Sequence, residues 1–245
     1  MKLRNLILTL FTFSFFSSIS FAGIPEVEAI VKKAREHLGS EEALTAIDAV
    51  QYRGTVKLFQ EEVMEGKVVL TFKKPHLQKI EFIFPDSVME SGFNGYEGYE
   101  SLTSQDESGK PVKSTRSIDS EESRRNKAAA IENLSFFRPF DFNDENVSDK
   151  GLVDYEGGKA HQVDFIHRGK YVFSRFFDPE TGDLYQSVLD TGVRTVESGE
   201  LIVHGVRFSK QIVGYLIEQK TFEMIFDEVI VNPEIDDSEF DYPLF

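Results

Sequence analysis

The stretch VQYRGTVKL, residues 50–58, decides the fold class, because the spacing of apolar residues changes there from helical to alternating. Tyr52, Gly54, Val56 and Leu58 fall on one face of an extended strand, whereas the other face carries Arg53 and further polar residues. An apolar residue at every second position is typical of a strand with one buried face. The stretch therefore predicts the first strand of a β-sheet.

Two helices are predicted before this strand. The first is indicated by apolar residues at helical spacing, with acidic residues early, basic residues late and Gly39 as the stop. Its apolar residues are Val27, Ile30, Val31, Ala34 and Leu38. Ser40 is a suitable N-cap for a second, short helix over Glu41 to Ile47.

Alternating or aromatic-rich stretches continue after this strand. They predict strands at 67–73, 77–84, 92–102, 152–156, 160–167, 171–177, 184–189, 201–211, 212–218 and 222–231. Asp119, followed three residues later by Glu122, is a capping signature and predicts a helix over 120–137. The expected fold is mainly β with some α, with about ten or eleven strands in consecutive antiparallel order.

The N-terminus has the pattern of a secretory signal peptide. Lys2 and Arg4 precede an apolar run, and Ser20-Phe21-Ala22 offers small residues before Gly23. We therefore expect residues 1–22 to be removed and residues 23–245 to form a single domain. The chain has no cysteine, so the leader cannot be the kind whose first mature residue is acylated, and we expect no stable membrane anchor.

The composition narrows the partners and the chemistry. There are 42 acidic and 27 basic residues, a net charge of −15, which disfavours nucleic acid and anionic membrane surfaces as partners. Sequence motifs for a serine nucleophile, a zinc-binding helix or a phosphate-binding glycine loop are missing, and the five histidines lack ligand spacing. We expect no enzymatic activity, no catalytic residues, no metal and no cofactor.

The end of the chain resembles a known family. Residues 231–240 (VNPEIDDSEF) with Pro243 are similar to the N-x-x-I-x-x-x-x-F-x-x-P ending of the periplasmic outer-membrane lipoprotein carriers, the LolA/LolB-like superfamily. Residues 37–47, residues 93–99 and the stretch Asp178-Pro179-Glu180-Thr181-Gly182 resemble further motifs of these chains. The resemblance implies a periplasmic protein with a strongly curved antiparallel sheet, a half-open β-barrel, whose concave side is plugged by helices over an apolar cavity.

The expected cavity lining consists of apolar residues on the inward faces of the strands. These are Val56, Leu58, Leu70, Phe72, Ile80, Phe82, Phe165, Phe173, Phe222, Met224 and Phe226. The alternative interpretation is that the same side chains form a filled core, and the period of the sequence does not distinguish the two.

The expected lid consists of Ile30 and Val31 on the first helix, Ile131 and Leu134 on the middle helix, and Arg53. The resemblance implies the role of Arg53, because an arginine in the first strand of the family carrier holds the lid through hydrogen bonds to helix carbonyls. Alternation places Arg53 on the face opposite Tyr52, so an exposed surface charge is the alternative.

The function that the resemblance implies is a soluble, monomeric carrier or chaperone for the acyl chains of lipids or lipoproteins. Each buried methylene contributes ~0.8 kcal/mol, so a chain of roughly sixteen carbons resists passage through water by roughly 10 kcal/mol unless a protein encloses it. The alternative is a non-enzymatic envelope module that binds a protein partner or senses a lipid.

Overall fold

A computed structural model describes residues 24–143, 145–156 and 158–243. The predicted signal peptide, residues 1–22, lies outside this part of the chain. Helices α1 (Ile24–Leu38) and α2 (Glu41–Thr45) come first, and α3 (Ser120–Ser135) lies in the middle. The strands are β1 (Ala49–Phe59), β2 (Val63–Lys73), β3 (Leu77–Ile83), β4 (Ser87–Phe93), β5 (Gly98–Gln105), β6 (Pro111–Ser117), β7 (Val147–Tyr155), β8 (Gly158–His167), β9 (Tyr171–Phe177), β10 (Leu184–Leu189), β11 (Val193–Val203), β12 (Val206–Leu216) and β13 (Gln219–Val231).

All thirteen strands form one antiparallel sheet in the order β6-β5-β4-β3-β2-β1-β13-β12-β11-β10-β9-β8-β7. The first and last strands of the chain pair in the middle, so β6 and β7 are the two edges. These edges do not pair with each other in the described chain, and the sheet is a curved half-barrel as predicted. Since α3 follows β6 and precedes β7, the chain crosses from one edge to the other through α3.

The strand count exceeds the predicted ten or eleven, because one predicted strand is a hairpin of two strands and one further strand was not predicted. The expected strand 92–102 is the hairpin between β4 and β5, where Asn94 N donates to Glu97 O at 3.1 Å. The expected strands 201–211 and 212–218 are wrong in their bounds: β11 and β12 meet at the turn of His204 and Gly205, with φ of 51° and 78°, and the predicted break at 211–212 lies inside β12. Strand β6 was not predicted, because it is exposed and mostly polar on both faces.

The predicted helices are confirmed, with small changes at their ends. The Ser40 hydroxyl accepts a hydrogen bond from Ala43 N, which makes Ser40 the N-cap of α2. The Asp119 carboxylate accepts hydrogen bonds from the backbone N atoms of Glu121 and Glu122, both at 2.8 Å, and so caps α3. Helix α3 ends where Phe136 takes a left-handed conformation with φ of 48°.

Close approach of backbones accompanies the curvature in the middle of the sheet. The pairing of β1 with β13 shifts register between Arg53 and Gly54. A Cβ atom at Gly54 would lie 2.0 Å from Ile225 O, so only glycine fits there. The ring of Tyr52 lies on this inward face, with its centroid 4.9 Å from that of Phe226 and 5.9 Å from that of Phe208.

The buried residues form two clusters. The central core joins β1–β3, β12 and β13 to α2 and α3, and contains Leu44, Ile47, Val50, Val56, Val68, Leu70, Phe72, Phe84, Leu134, Val206, Phe208, Phe226 and Val229. The lateral core joins α1 and α3 to β7–β9, and contains Val27, Ile30, Val31, Ala34, Ala128, Val147, Val163, Phe165, Tyr171, Phe173 and Phe177. Helix α3 contributes to both, with Leu134 in the central core and Ala128 in the lateral core.

The tail motif has a structural explanation. The Asn232 side chain accepts hydrogen bonds from Asp48 N and Ala49 N at 2.8 and 3.1 Å, and donates to Ala46 O at 2.9 Å. It thereby joins the end of β13 to the segment between α2 and β1. Phe240, on a short 3-10 helix (Asp237–Phe240), is fully buried. The asparagine and the phenylalanine of the motif are therefore packing residues.

Candidate functional site

Helix α3 is held to the β8–β10 side of the half-barrel by a buried ionic cluster. Glu132 Oε1 lies 2.8 Å from His167 Nε2, and Glu132 Oε2 lies 3.4 Å from Arg175 Nη2. The Glu132 side chain is only 3% exposed, so its charge depends on these partners. Arg175 in turn donates a hydrogen bond to the Ser187 hydroxyl on β10.

The first half of α3 makes two further ion pairs on the same side. Arg125 Nη1 lies 2.7 Å from Asp190 Oδ1, just after β10. Lys170, in the turn between β8 and β9, donates a hydrogen bond to Glu121 and lowers the pKa of that carboxyl. Helix α3 is therefore anchored to this side near its start and near its end.

Fewer and longer polar contacts join α3 to the β2–β4 side. Asn133 Nδ2 lies 3.4 Å from Gln78 Oε1 on β3, and Lys127 Nζ lies 3.5 Å from Gly95 O in the turn after β4. Both distances are at the long end for hydrogen bonds. On this side α3 is held mainly by apolar contact, through Leu134 in the central core.

Arg35 on α1 closes the C-terminal end of α3. Its Nη1 donates to Ser135 O at 3.0 Å and to Phe136 O at 2.6 Å. Its Nε and Nη2 donate to the Glu41 carboxylate at 2.8–2.9 Å. The last carbonyls of a helix have no partner within the helix, and Arg35 supplies one.

The structure places Arg53 differently from its predicted lid role. Its side chain is 54% exposed, with Nε donating to Gln51 Oε1 at 2.8 Å and Nη1 lying 3.6 Å from Glu228 Oε2. It lies on the outer face of β1 because alternation turns it away from Tyr52. The contact to helix carbonyls that the resemblance implied is made by Arg35 instead.

A cavity of about 590 Å³ opens beside α3, between its second half, the segment that follows it, α2 and the turns after β2 and β8. Its apolar lining is Leu44, Pro75, Ala128, Ile131, Leu134, Phe136, Pro139, Phe140, Phe165 and Ile166. Its charged lining is Arg35, Lys74, Arg124, Lys127, Glu132, Arg138 and Arg168, with His167 beside them. The volume is in the range of small-molecule sites.

A second, wider groove of about 1100 Å³ lies between α1 and the turn that joins β11 to β12. Its lining mixes acidic and basic side chains with a few apolar residues, among them Leu38, Phe142 and Ile202. Arg35 and Arg138 line both the groove and the cavity, so the two are neighbours separated by the Arg35–Glu41 pair.

The predicted cavity residues lie in two environments. Val56, Leu70, Phe72, Phe165, Phe173 and Phe226 are buried in the two cores. Leu58, Ile80, Phe82, Phe222 and Met224 are half-buried, and all of them except Phe222 pack against the central core. Cross-strand pairs connect them, with Leu58 opposite Phe222 and Val56 opposite Met224. We name these five half-buried residues the inner strip.

The predicted lid residues are divided between the two helices. Ile131 and Leu134 on α3 line the 590 Å³ cavity, as does Phe165 of the predicted lining. Ile30 and Val31 on α1 are buried in the lateral core, and Val31 also lines the second groove. The cavity is therefore lined by α3 as well as by residues of the strands.

The charged residues around α3 were not identified from the sequence. Two of them carry a signal: Arg35 lies four residues after Val31 and Glu132 four residues after Ala128, so each charge falls on the apolar face of its helix. Charged residues are almost never fully buried unless they are paired, so a charge in such a position predicts a buried ion pair. The described residues contain no cluster of three or more side chains positioned to bind a metal ion. Nor do they contain a helix that could cross a membrane.

The curved open sheet, plugged by α3, is the LolA-like fold, as the resemblance implied. No family model and no curated protein matches the sequence. Among solved structures, a DUF1329 family protein from Desulfovibrio piger has a TM-score of 0.57 at 11% identity, covering 88% of this chain and 97% of that chain. A LolA superfamily protein from Nitrosomonas europaea has a TM-score of 0.52 at 10% identity, with the same coverage. A lipoprotein-sorting protein domain from Vibrio parahaemolyticus has a TM-score of 0.53 at 10% identity, again covering 88% and 97%.

Identities of 10–11% establish the shared fold and nothing finer. The same architecture can carry different functions, so the function has to be argued from the site.

Proposed function

We propose that the protein is a soluble, non-catalytic carrier that binds acyl chains of lipids or lipoproteins in the periplasm after removal of residues 1–22. One observation carries the proposal: α3 lies across the mouth of an open half-barrel, firmly attached on one side and weakly attached on the other. Such a helix can open and close over apolar surface without unfolding the sheet. The Vibrio parahaemolyticus structure with the same fold is described as an outer membrane lipoprotein-sorting domain, which agrees with this class of function.

The apolar surface available to an acyl chain has two parts. The first is the lining of the cavity beside α3, where Ile131 and Ile166 are half-buried and Phe140 is 93% exposed. The second is the inner strip, whose side chains are half-buried although α3 is in place. A movement of α3 away from the β2–β4 side would join the two into one continuous surface. Each methylene covered there would contribute ~0.8 kcal/mol.

The first experiment asks whether the exported protein carries lipid. The protein is purified from the periplasm, extracted with organic solvent and analysed by mass spectrometry, and a delipidated sample is titrated with a fluorescent fatty acid. We expect stoichiometric lipid in the extract and saturable binding of the probe. Absence of both would contradict the carrier and favour the alternative, an envelope module that binds a protein partner.

The second experiment asks whether α3 must move. The chain has no cysteine, so Tyr96→Cys and Lys127→Cys, which are in contact on the β2–β4 side of α3, can be bridged by a bismaleimide with a reducible linker. We expect the bridged protein to take up the fluorescent fatty acid slowly or not at all, and reduction to restore uptake. The two single-cysteine variants, treated identically, are the controls. Unchanged uptake in the bridged protein would show that ligand enters without displacement of α3.

A further inference from the structure

The charge of the cavity beside α3 is opposite to that of the protein. The chain has a net charge of −15, yet the cavity is lined by six Arg or Lys residues and one acidic residue. The acidic residue, Glu132, is already paired with His167 and Arg175. Likewise, Arg35 is occupied by Glu41 and by the carbonyls at the end of α3. The remaining cavity charge is therefore positive.

Four of these cations have weak partners or none within the described chain. Lys74 and Arg168 make no ion pair there, although acidic residues outnumber basic ones overall. Lys127 makes only the 3.5 Å contact to Gly95 O and lies over the ring of Tyr96. Arg124 lies 3.8 Å from Glu121, and both of these side chains are well exposed. These cations are available to an anionic ligand.

The four cations come from three separate elements that converge on one opening. Arg124 and Lys127 lie on successive turns of α3, Lys74 lies at the turn after β2, and Arg168 at the turn after β8. Arg168 and Gly169 both have positive φ, 55° and 62°, and Lys170 N donates to His167 O at 3.1 Å. Positive φ at two successive residues is typical of the centre of a type I′ turn, where asparagine, aspartate or glycine is favoured at the position that Arg168 occupies. The conformation of the turn therefore does not explain why this residue is an arginine.

The apolar lining sets the chemical class of the ligand. Ile131, Phe136 and Ile166 lie beside the cations and are only half-buried, and Phe140 at the same cavity is 93% exposed. A small anion such as inorganic phosphate would use the cations and leave this apolar surface in water. A ligand with an anionic headgroup and a hydrocarbon chain would use both.

We propose that the cavity beside α3 binds an anionic lipid, with the headgroup at Lys74, Arg124, Lys127 and Arg168 and the chain on the apolar lining. This inference rests on the proposed carrier function and adds a headgroup preference to it. The acidic exterior strengthens the selection, because it repels anionic membrane surfaces while the cavity attracts a single anionic molecule.

The test compares two fluorescent lysolipids with the same acyl chain, one with a phosphoglycerol headgroup and one with a phosphocholine headgroup. We expect the delipidated wild-type protein to bind the anionic lysolipid about tenfold more tightly at low salt, and less selectively at high salt. The variant Arg124→Gln, Lys127→Gln, Arg168→Asn should lose most of this preference and keep its affinity for the phosphocholine lipid. Asparagine suits the type I′ turn, so the third substitution preserves the hairpin.

A variant with the same loss of charge away from the cavity is the control. Lys110→Gln, Lys113→Gln, Lys159→Gln changes three exposed lysines, one before β6, one in β6 and one at the start of β8, and should keep the preference of the wild type. Equal binding of both lysolipids by the wild type would overturn the headgroup site and leave the carrier intact. Binding of neither lysolipid would overturn the carrier itself.

A competition experiment separates a lipid from a soluble phosphate compound. Glycerol phosphate should displace the anionic lysolipid only at concentrations far above that of the lipid, because it lacks the chain. Displacement at equal concentrations would mean that the cavity recognises a soluble anion, which would overturn the lipid assignment. A loss of affinity for both lysolipids in the triple variant would also overturn it, since the cations would then not be reading the headgroup.

Discussion

The two long sides of α3 meet the sheet through different chemistry. Towards β8–β10 the contacts are ionic and partly buried, with Glu132, Arg125 and Glu121 each paired. Towards β2–β4 the hydrogen bonds of α3 within the described chain are two long ones, from Asn133 to Gln78 at 3.4 Å and from Lys127 to Gly95 at 3.5 Å. The comparison indicates that the β8–β10 side of α3 is the fixed side and that the β2–β4 side is the one that can open.

Buried ion pairs are well suited to the fixed side of α3, which faces β8–β10. Their net contribution to stability is small, but removing one partner leaves the other charged and buried, so the pairing fixes the geometry strongly. Apolar contacts on the opposite side tolerate sliding and can be replaced by contacts with a hydrocarbon chain. The difference between the two sides can be tested by substitutions on each.

The largest effect is expected from Glu132→Ala. The substitution leaves the Arg175 guanidinium buried beside His167, and Arg175 Nε already has no hydrogen-bond partner. We expect the free energy of unfolding in urea to fall by about 3–5 kcal/mol. Glu122→Ala on the same helix is the control. Glu122 makes a loose surface ion pair with Arg116 at 3.9 Å, so its loss should lower the free energy of unfolding by less than about 0.5 kcal/mol. Equal costs would mean that the ionic cluster is not the anchor of α3.

A smaller effect is expected from Arg35→Lys. An ammonium group cannot donate at once to Ser135 O, Phe136 O and the Glu41 carboxylate, whereas the guanidinium does. We expect a loss of about 2–3 kcal/mol in the free energy of unfolding, with faster hydrogen exchange at residues 135–140. Arg138→Lys is the matched control, because Arg138 is exposed and lies 3.6 Å from the same carboxylate. If both variants behaved alike, Arg35 would not hold the end of α3.

Phe82→Glu tests the inner strip on the side that we expect to open. Phe82 is half-buried on the inward face of β3, opposite Val68 of the central core, so a carboxylate there would be partly desolvated. We expect a loss of about 1–2 kcal/mol in stability and of binding of the fluorescent fatty acid. Ile83→Glu, the next residue, points to the opposite face, is exposed, and should change neither. Normal probe binding by folded Phe82→Glu would exclude the inner strip from the ligand surface.

The sequence predicted the regular parts of the fold because their information is local. The alternation in β1 and the capping residues Ser40 and Asp119 act within a few positions and were read correctly. The turn between β4 and β5 was not predicted, because the aromatic residues around Asn94-Gly95 continue the pattern of a strand through it.

The candidate site was predicted less completely, because its residues converge only in three dimensions. Lys74, Lys127 and Arg168 are far apart in the sequence, and nothing local marks them as neighbours. The inward strand residues are buried or half-buried, but α3 and the segment after it provide most of the cavity lining. The resemblance implied a lid arginine on β1, whereas the arginine that contacts the helix carbonyls is Arg35. Its position on the apolar face of α1 is the signal in the sequence that could have identified it.

The smallest effect is expected from Asn133→Ala, which removes the contact to Gln78 on the β2–β4 side. The contact is long and Asn133 is exposed, so stability should change by less than about 0.5 kcal/mol. Because the same contact would resist opening, uptake of the fluorescent fatty acid in stopped flow should accelerate by about twofold, the rate equivalent of that energy. Asn126→Ala changes the same residue type on the same helix without that contact and gains the same helix propensity, so its uptake rate should match the wild type. Faster uptake in both variants would assign the gain to helix propensity, and faster uptake in neither would place the opening elsewhere than on the β2–β4 side.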